Sequence, residues 1–146
     1  MTQNEESPSA APPLGPQELD RLLALDPQTR CEWMLEDCAR YEQAWGLVDA
    51  QGWVVFKVAE APEGRSPWAL PLWPRQELAA LASRSTDEQP RRLDLEAVLE
   101  ELLPEVGQRG WQVSACPDQG SGFIETADAF RSRLADAWNE LNEEEG

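Results

Sequence analysis

Histidine is absent from this 146-residue chain, which removes the commonest general base near neutral pH and the commonest metal ligand together. Lysine occurs only as Lys57 and the other basic residues are arginine. With 12 Lys+Arg against 28 Asp+Glu, the net charge of −16 argues against nucleic acid, whose phosphates are held by clustered cations. Cysteine is scarce and ill-spaced for chemistry. Cys31 and Cys38 share one helix face about 10 Å apart along its axis, at roughly 1.5 Å per residue. They are too distant for a disulfide within an intact helix, and Cys116 stands elsewhere. No C-x-x-C pair is present, so neither a zinc site nor a dithiol motif is written here. Cys31, Cys38 and Cys116 therefore read as buried structural thiols.

Long apolar runs are missing too. Charge interrupts every hydrophobic stretch well short of the roughly 18–20 residues of a membrane span, and the start shows no basic-then-apolar leader. The expectation is a soluble cytoplasmic protein that needs no membrane. Phosphate loops, H-E-x-x-H, G-x-S-x-G and calcium-loop spacings are lacking. Carboxylates abound, but Glu96, Glu100, Glu101 and Glu105 read as the solvated side of a helix. The sequence offers no catalytic residue, no metal ligand set and no cofactor, and predicts a non-enzyme.

What is present is organised. Residues 1–17, with Pro8, Pro12, Pro13 and Pro16 and no apolar periodicity, read as a disordered tail. Residues 18–142 form the single folded domain, and 143–146 an acidic tail. Leu19, Leu22, Leu23 and Leu25 make a first helical stripe, ended by Asp26-Pro27, an N-cap followed by proline at the first helical position. Cys31, Met34, Leu35, Cys38 and Tyr41 mark a second helix to about Glu42. Two β-rich runs, Trp45 to Val48 and Trp53 to Val58, joined by Asp49-Ala50-Gln51-Gly52, predict a hairpin with Val48 facing Trp53 and Trp45 near Phe56. A loop spans residues 61–67, and Trp68 to Pro74 reads as a proline-limited edge strand.

A helix over 75–83 follows, with Leu78, Ala79, Leu81 and Ala82 inward. After a polar loop comes a brief strand at Arg92-Leu93. Asp94 caps a helix carrying Leu95, Val98, Leu99, Leu102 and Leu103, broken by Pro104. Strands at 110–117 and 122–125 flank a turn at 118–122. Thr126 then caps the last helix, whose Ala127, Phe130, Leu134, Ala137, Trp138 and Leu141 keep helical spacing. The order predicts an α+β fold with about five helices and a small, mainly antiparallel or mixed sheet of about five strands.

Seven tryptophans are the most unusual content. Trp33, Trp111 and Trp138 sit in core patterns. Trp45, Trp53, Trp68 and Trp73 crowd into the hairpin and the next strand, beside Pro74. These five residues, Trp45, Trp53, Trp68, Trp73 and Pro74, are either a partner-binding edge or a tryptophan-rich layer under the helices. Setting aside the terminal Glu5, Glu6, Glu140, Glu143, Glu144 and Glu145 leaves the body strongly acidic. That charge serves solubility or the steering of a basic partner.

The residues also resemble a known family. Ala44-Trp45-Gly46-Leu47-Val48-Asp49 with Gly52-Trp53, Leu70-Pro71-Leu72-Trp73-Pro74 with Glu77-Leu78-Ala79, Leu93-Asp94-Leu95 with Leu99 and Leu102-Leu103-Pro104, and Val113-Ser114-Ala115-Cys116-Pro117 follow in the order of the bacterial DUF2750 domains, over roughly residues 31–134. The resemblance implies an α+β fold and a bacterial, cytoplasmic origin, and brings no activity. The chain departs from the pattern at 83–90, where an aromatic stretch is replaced by polar residues. A looser similarity links the strand-Pro-Leu-Trp-Pro-helix arrangement to SseB-type domains.

Two functions follow as expectations. The first is a non-catalytic acidic module, an adaptor or immunity-like protein, binding a protein partner of basic character. The second is a small-ligand-binding protein or enzyme with a pocket between hairpin and helices, where Arg75 or Arg109 holds an anion and Asp49 or Asp118 supplies polarity.

Overall fold

The computed structural model describes residues 11–58, 67–118 and 122–145, with Glu144 and Glu145 described by their backbone alone. Much of the expected tail, most of the 61–67 loop and the middle of the 118–122 turn lie outside the described residues. The first helix, α1 (Pro16–Leu23), begins with proline at its start, and the Gly15 N–H donates to Glu18 Oε1 at 3.2 Å. It starts two residues ahead of Glu18.

Asp26-Pro27 then starts α2 (Pro27–Tyr41) as the sequence predicts. Thr29 donates its N–H to Asp26 Oδ2 at 3.1 Å and its hydroxyl to Oδ1 at 2.6 Å. These hydrogen bonds hold the Asp26 carboxyl below its ordinary pKa, the side-chain bond contributing most. The helix ends at Glu42, which takes the left-handed conformation (φ 54°).

Strand β1 (Gln43–Asp49) pairs with β2 (Gly52–Trp53) in the predicted register, Val48 opposite Trp53 and Asp49 opposite Gly52. Gly52 has φ +117°, and Asp49 Oδ1 accepts the Gln51 N–H at 2.9 Å, so the turn uses a residue free of a Cβ and an Asx contact. The hairpin does not continue, however. After Val54 donates to Leu47 O, the chain leaves β1, and β3 (Phe56–Lys57) joins a different sheet against β4 (Trp68–Leu72). Trp45 therefore does not face Phe56; it lies opposite Arg92 of β5 (Gln89–Asp94).

Two sheets result. One is antiparallel, in the order β2-β1-β5; the other is mixed, in the order β3-β4-β6-β7, with β6 (Gln112–Ala115) parallel to β4 and β7 (Phe123–Thr126) antiparallel to β6. Trp45 and Trp73 join them through reciprocal backbone hydrogen bonds of 2.7 and 2.8 Å. The fold is α+β, with seven strands among the described residues where about five were expected.

Placing β4 at an edge because of its prolines is incorrect: it lies between β3 and β6. The physical reason is alternation. Leu72 O accepts the Cys116 N–H on the β6 side, so Pro71 faces the other way, beyond the end of two-residue β3. No ladder bond needs the N–H that proline lacks.

Helix α3 (Gln76–Ala82) buries Leu78 and Ala79 but leaves Leu81 more than half exposed, against the expectation that Leu81 points inward. The predicted fragment at Arg92-Leu93 is part of six-residue β5. Asp94 precedes α4 (Leu95–Ala97) without a side-chain cap; its carboxylate instead takes the Arg92 guanidinium at 2.7 Å.

Pro104 does not break the helical stretch. A π turn at Val98–Leu102 connects α4 to α5 (Leu103–Gln108), with the Leu103 N–H reaching Val98 O. In that register residue 104 would donate to Leu99 O, and proline cannot. Arg131 Nε of α6 (Ala127–Glu145) donates to the freed carbonyl at 2.6 Å. Thr126 Oγ1 accepts the Ala129 N–H at 3.1 Å, the predicted cap, and α6 runs on through the expected acidic tail.

Helices α2 and α6 pack side by side, with α5 against α6. Met34, Leu35 and Cys38 of α2 and Phe130 and Leu134 of α6 share one core with Leu70, Leu72, Val113 and Ala115 of the mixed sheet. Gly46 makes a close approach possible, since a Cβ there would stand 2.7 Å from Trp53 Cζ3.

Candidate partner-binding site

The structure separates the five residues expected at a tryptophan-proline edge. Trp68, at the start of β4, is 41% exposed, and Trp53 is half-buried over Gly46. Trp73 is fully enclosed, its Nε1 donating to Pro117 O at 3.0 Å, and Trp45 and Pro74 are buried. The five residues therefore do not form one exposed edge: Trp45 and Trp73 carry the bridge between the sheets, which draws both rings into the core. Trp33, Trp111 and Trp138, expected in the core, are half-buried at its margin.

The polar residues expected to surround a pocket are not brought together either. Arg75 is buried and makes a two-pronged pair with Asp37, Nε to Oδ2 at 2.7 Å and Nη2 to Oδ1 at 2.9 Å, beneath the Tyr41 ring, 4.9 Å from its centroid. Burial works against the Arg75 charge, but the Asp37 hydrogen bonds and negative charge outweigh it and raise its pKa. Arg109 pairs with Glu105 and lies over Trp111. Asp49 serves its turn, and Asp118 stands 3.9 Å from Arg30 Nη2.

Arg30 is enclosed and ties irregular backbone together, donating to Cys116 O (2.9 Å), Leu23 O (3.2 Å) and Leu25 O (2.9 Å). Gln43 bridges Pro74 O and Arg92 Nε, each at 3.1 Å. The three thiols are buried and form no disulfide, and Cys31 Sγ donates to Glu125 Oε2 at 3.9 Å. Desolvation pushes Cys31 up to about 11 and Cys116 up to about 12, and raises Cys38 as well, so they are held as neutral thiols.

The outer side of the helical layer differs. A groove of about 260 Å³ runs between α2 and α6, lined by Glu36, Ala39, Arg40, Ala137, Glu140 and Leu141. Glu36 and Glu140 make no ion pair or hydrogen bond among the described residues, and Arg40 makes none with them. Glu32, Asp136 and Glu143 are exposed on the same two helices. By contrast, Arg84, Arg92, Arg109, Arg131 and Arg133 each stand within 4 Å of a carboxylate of their own chain. None of Arg75, Arg109, Asp49 and Asp118 lines this groove.

Residues 31–134 match the model of DUF2750, a protein family of unknown function. The chain belongs to the DUF2750 family. No curated protein and no solved structure matches it, and the looser similarity to SseB-type domains is not borne out. The DUF2750 region contains the α2 wall of the groove, Glu36, Ala39 and Arg40, together with Asp37, Tyr41 and Arg75, while the α6 wall, Ala137, Glu140 and Leu141, lies beyond it.

Sequence reasoning passed over Asp37, Gln43 and Arg30. A signal for Asp37 existed: it lies three residues from Met34 and four from Tyr41, on the apolar stripe of α2, where a carboxylate requires a partner. Which arginine would supply it was set by the tertiary fold. The groove had no local signal, because Glu36 and Glu140 are distant in sequence and meet only when α2 packs on α6.

Proposed function

We propose that this DUF2750 protein is a non-catalytic acidic protein-binding module, adaptor or immunity-like, working in the bacterial cytoplasm on a basic protein partner. The observation that carries the reading is the α2–α6 groove, where Glu36 and Glu140 flank an apolar floor of Ala39, Ala137 and Leu141. Two carboxylates against the single guanidinium of Arg40 leave one negative charge for a partner to match. An incoming lysine or arginine lays its stem on the floor and its head group between the carboxylates. The surrounding acidic residues steer the encounter.

Among the described residues no cluster of His, Cys, Asp and Glu is arranged to hold a metal, and no helix is long and apolar enough to cross a membrane. The three cysteines, free of disulfides, suit a reducing compartment.

The test is affinity capture of tagged protein from source-cell lysate at low and high salt, beside Glu36→Gln/Glu140→Gln and Trp68→Ala variants. The reading expects a stoichiometric partner released by salt and weakened about tenfold by the double carboxylate change, equivalent to about 1.4 kcal/mol. A partner that ignores both and is lost with Trp68→Ala places recognition on the exposed aromatic instead.

A further inference from the structure

A second feature rests on different residues. Arg75 uses Nε and Nη2 on Asp37, and its Nη1 donates to the main-chain carbonyl of Pro12 at 2.7 Å. Residues 11–15 lie in neither helix nor strand, and Gly15 is extended (φ −81°, ψ 168°). Leu14 packs half-buried on the core, while the Pro12 and Pro13 side chains remain exposed. The strap thus presents a carbonyl to Arg75 and a leucine side chain two residues later to the core. Its two prolines give no backbone N–H and preset an extended path.

The notch under the strap has the parts of a peptide-binding site. Asp37 fixes the guanidinium on two sides, and Tyr41 backs it. Its Nη1 is aimed at a main-chain carbonyl, a group every peptide carries. Asp37, Tyr41 and Arg75 all lie inside the DUF2750 match, which begins at Cys31, whereas the strap lies outside it. The site and its cover are therefore separate parts of the chain.

We propose that the Arg75–Asp37–Tyr41 notch is a binding site for an extended, proline-containing segment of a partner protein, and that residues 11–15 occupy it as an intramolecular competitor. Recognition uses a backbone carbonyl on Arg75 Nη1 and an apolar side chain two residues on, with proline holding the segment extended. Because the strap is tethered close by, it competes at an effective concentration on the order of millimolar. A partner segment gains access when the strap lets go.

The test is a nuclear magnetic resonance titration of the full chain with a capped synthetic peptide of the sequence of residues 11–15, read at the backbone amide resonances of Asp37 and Tyr41 in every variant and also at Arg75 Nε–H where Arg75 is kept. Leu14→Asp weakens the strap by removing its apolar hold. Pro13→Gly, changed at an exposed side chain, loosens it through chain entropy and keeps the test available if the first variant misfolds. The peptide is expected to bind Leu14→Asp about tenfold more tightly than wild type and Pro13→Gly severalfold more tightly. Arg75→Lys in either background keeps a charge beside Asp37 and removes the gain, because an ammonium lacks the guanidinium fork.

Binding to both strap variants no tighter than to wild type overturns the proposal. A gain that survives Arg75→Lys overturns the role given to Arg75. Conversion of the strap variants to dimers by exchange, seen by light scattering, overturns the partner assignment in favour of a second copy. The peptide is uncharged, so its affinity stays constant with salt. A failure here is thereby distinguishable from a failure of the acidic groove, whose binding falls with salt.

Discussion

Helix α2 carries charge on both of its sides, and the two sides handle it differently. On the inner side Asp37 is clasped by Arg75, and Arg30 is saturated with carbonyls of Cys116, Leu23 and Leu25. On the outer side Glu36, one residue from Asp37, faces the α2–α6 groove with no ion pair or side-chain hydrogen bond among the described residues. Inside, a charge is tolerable only when it is fully paired, and it then fixes how loops and helices meet. Outside, water solvates the carboxylates at little cost and leaves them free for another molecule. Neighbouring acidic residues on one helix thus hold the fold and offer a surface, respectively.

The sharpest way to break this comparison is to truncate each neighbour. Asp37→Ala leaves the Arg75 charge buried and should lower stability in urea by about 3–5 kcal/mol. Glu36→Gln should stay within about 0.5 kcal/mol of wild type. Similar losses from both would abolish the distinction.

The tryptophans give a parallel contrast. Trp73→Ala removes an enclosed ring and its bond to Pro117 O, for an expected loss of about 3–5 kcal/mol. Trp68→Ala, at an exposed strand end, should cost under about 1 kcal/mol. Calorimetric melting of the two variants checks the order.

Smaller again is Gly46→Ala. The added methyl would meet the Trp53 ring 2.7 Å away, and overpacking of this kind costs about 1–3 kcal/mol. An unchanged melting temperature would place Trp53 away from Gly46.

A different effect concerns alkaline pH. Burial raises the folded-state values of Cys31 to about 11 and Cys116 to about 12, above the ordinary thiol value of 9.0. A group whose folded pKa is raised contributes stability that is complete below its unfolded value and is lost as pH climbs through the folded one. Stability should therefore lose this contribution between about pH 9 and pH 12, and a thiol reagent at pH 8 should label none of the three until the chain unfolds. Rapid labelling of the native protein would contradict the burial.

Local chemistry made much of this fold legible. Asp26-Pro27, the Val48–Trp53 register, the β6–β7 strands and the Thr126 cap each rest on a few adjacent residues whose dihedral and hydrogen-bonding preferences agree. What escaped the sequence was long-range. Phe56 leaves the hairpin because β4 offers it a second sheet, and Pro71 sits inside that sheet because its missing N–H faces away from β6. Pro104 is absorbed by a π turn whose spare carbonyl is met by Arg131, a residue from another helix.

The candidate site divides along the same line. The acidic character of the chain was plain, and so was the abundance of tryptophan. Which tryptophans stayed outside was decided by the Trp45–Trp73 bridge. That two of the many glutamates would flank one groove depended on the packing of α2 against α6.

The central claim is that the α2–α6 groove recognises a basic partner through Glu36 and Glu140. Its most direct measurement is parallel capture from source-cell lysate by the wild-type protein and by Glu36→Gln/Glu140→Gln, at one low salt concentration and equal bait. The account predicts a stoichiometric basic protein retained by the wild type and strongly depleted on the double variant, with both baits equally folded. Equal retention on the two baits, or a bound protein that is itself acidic, would contradict it.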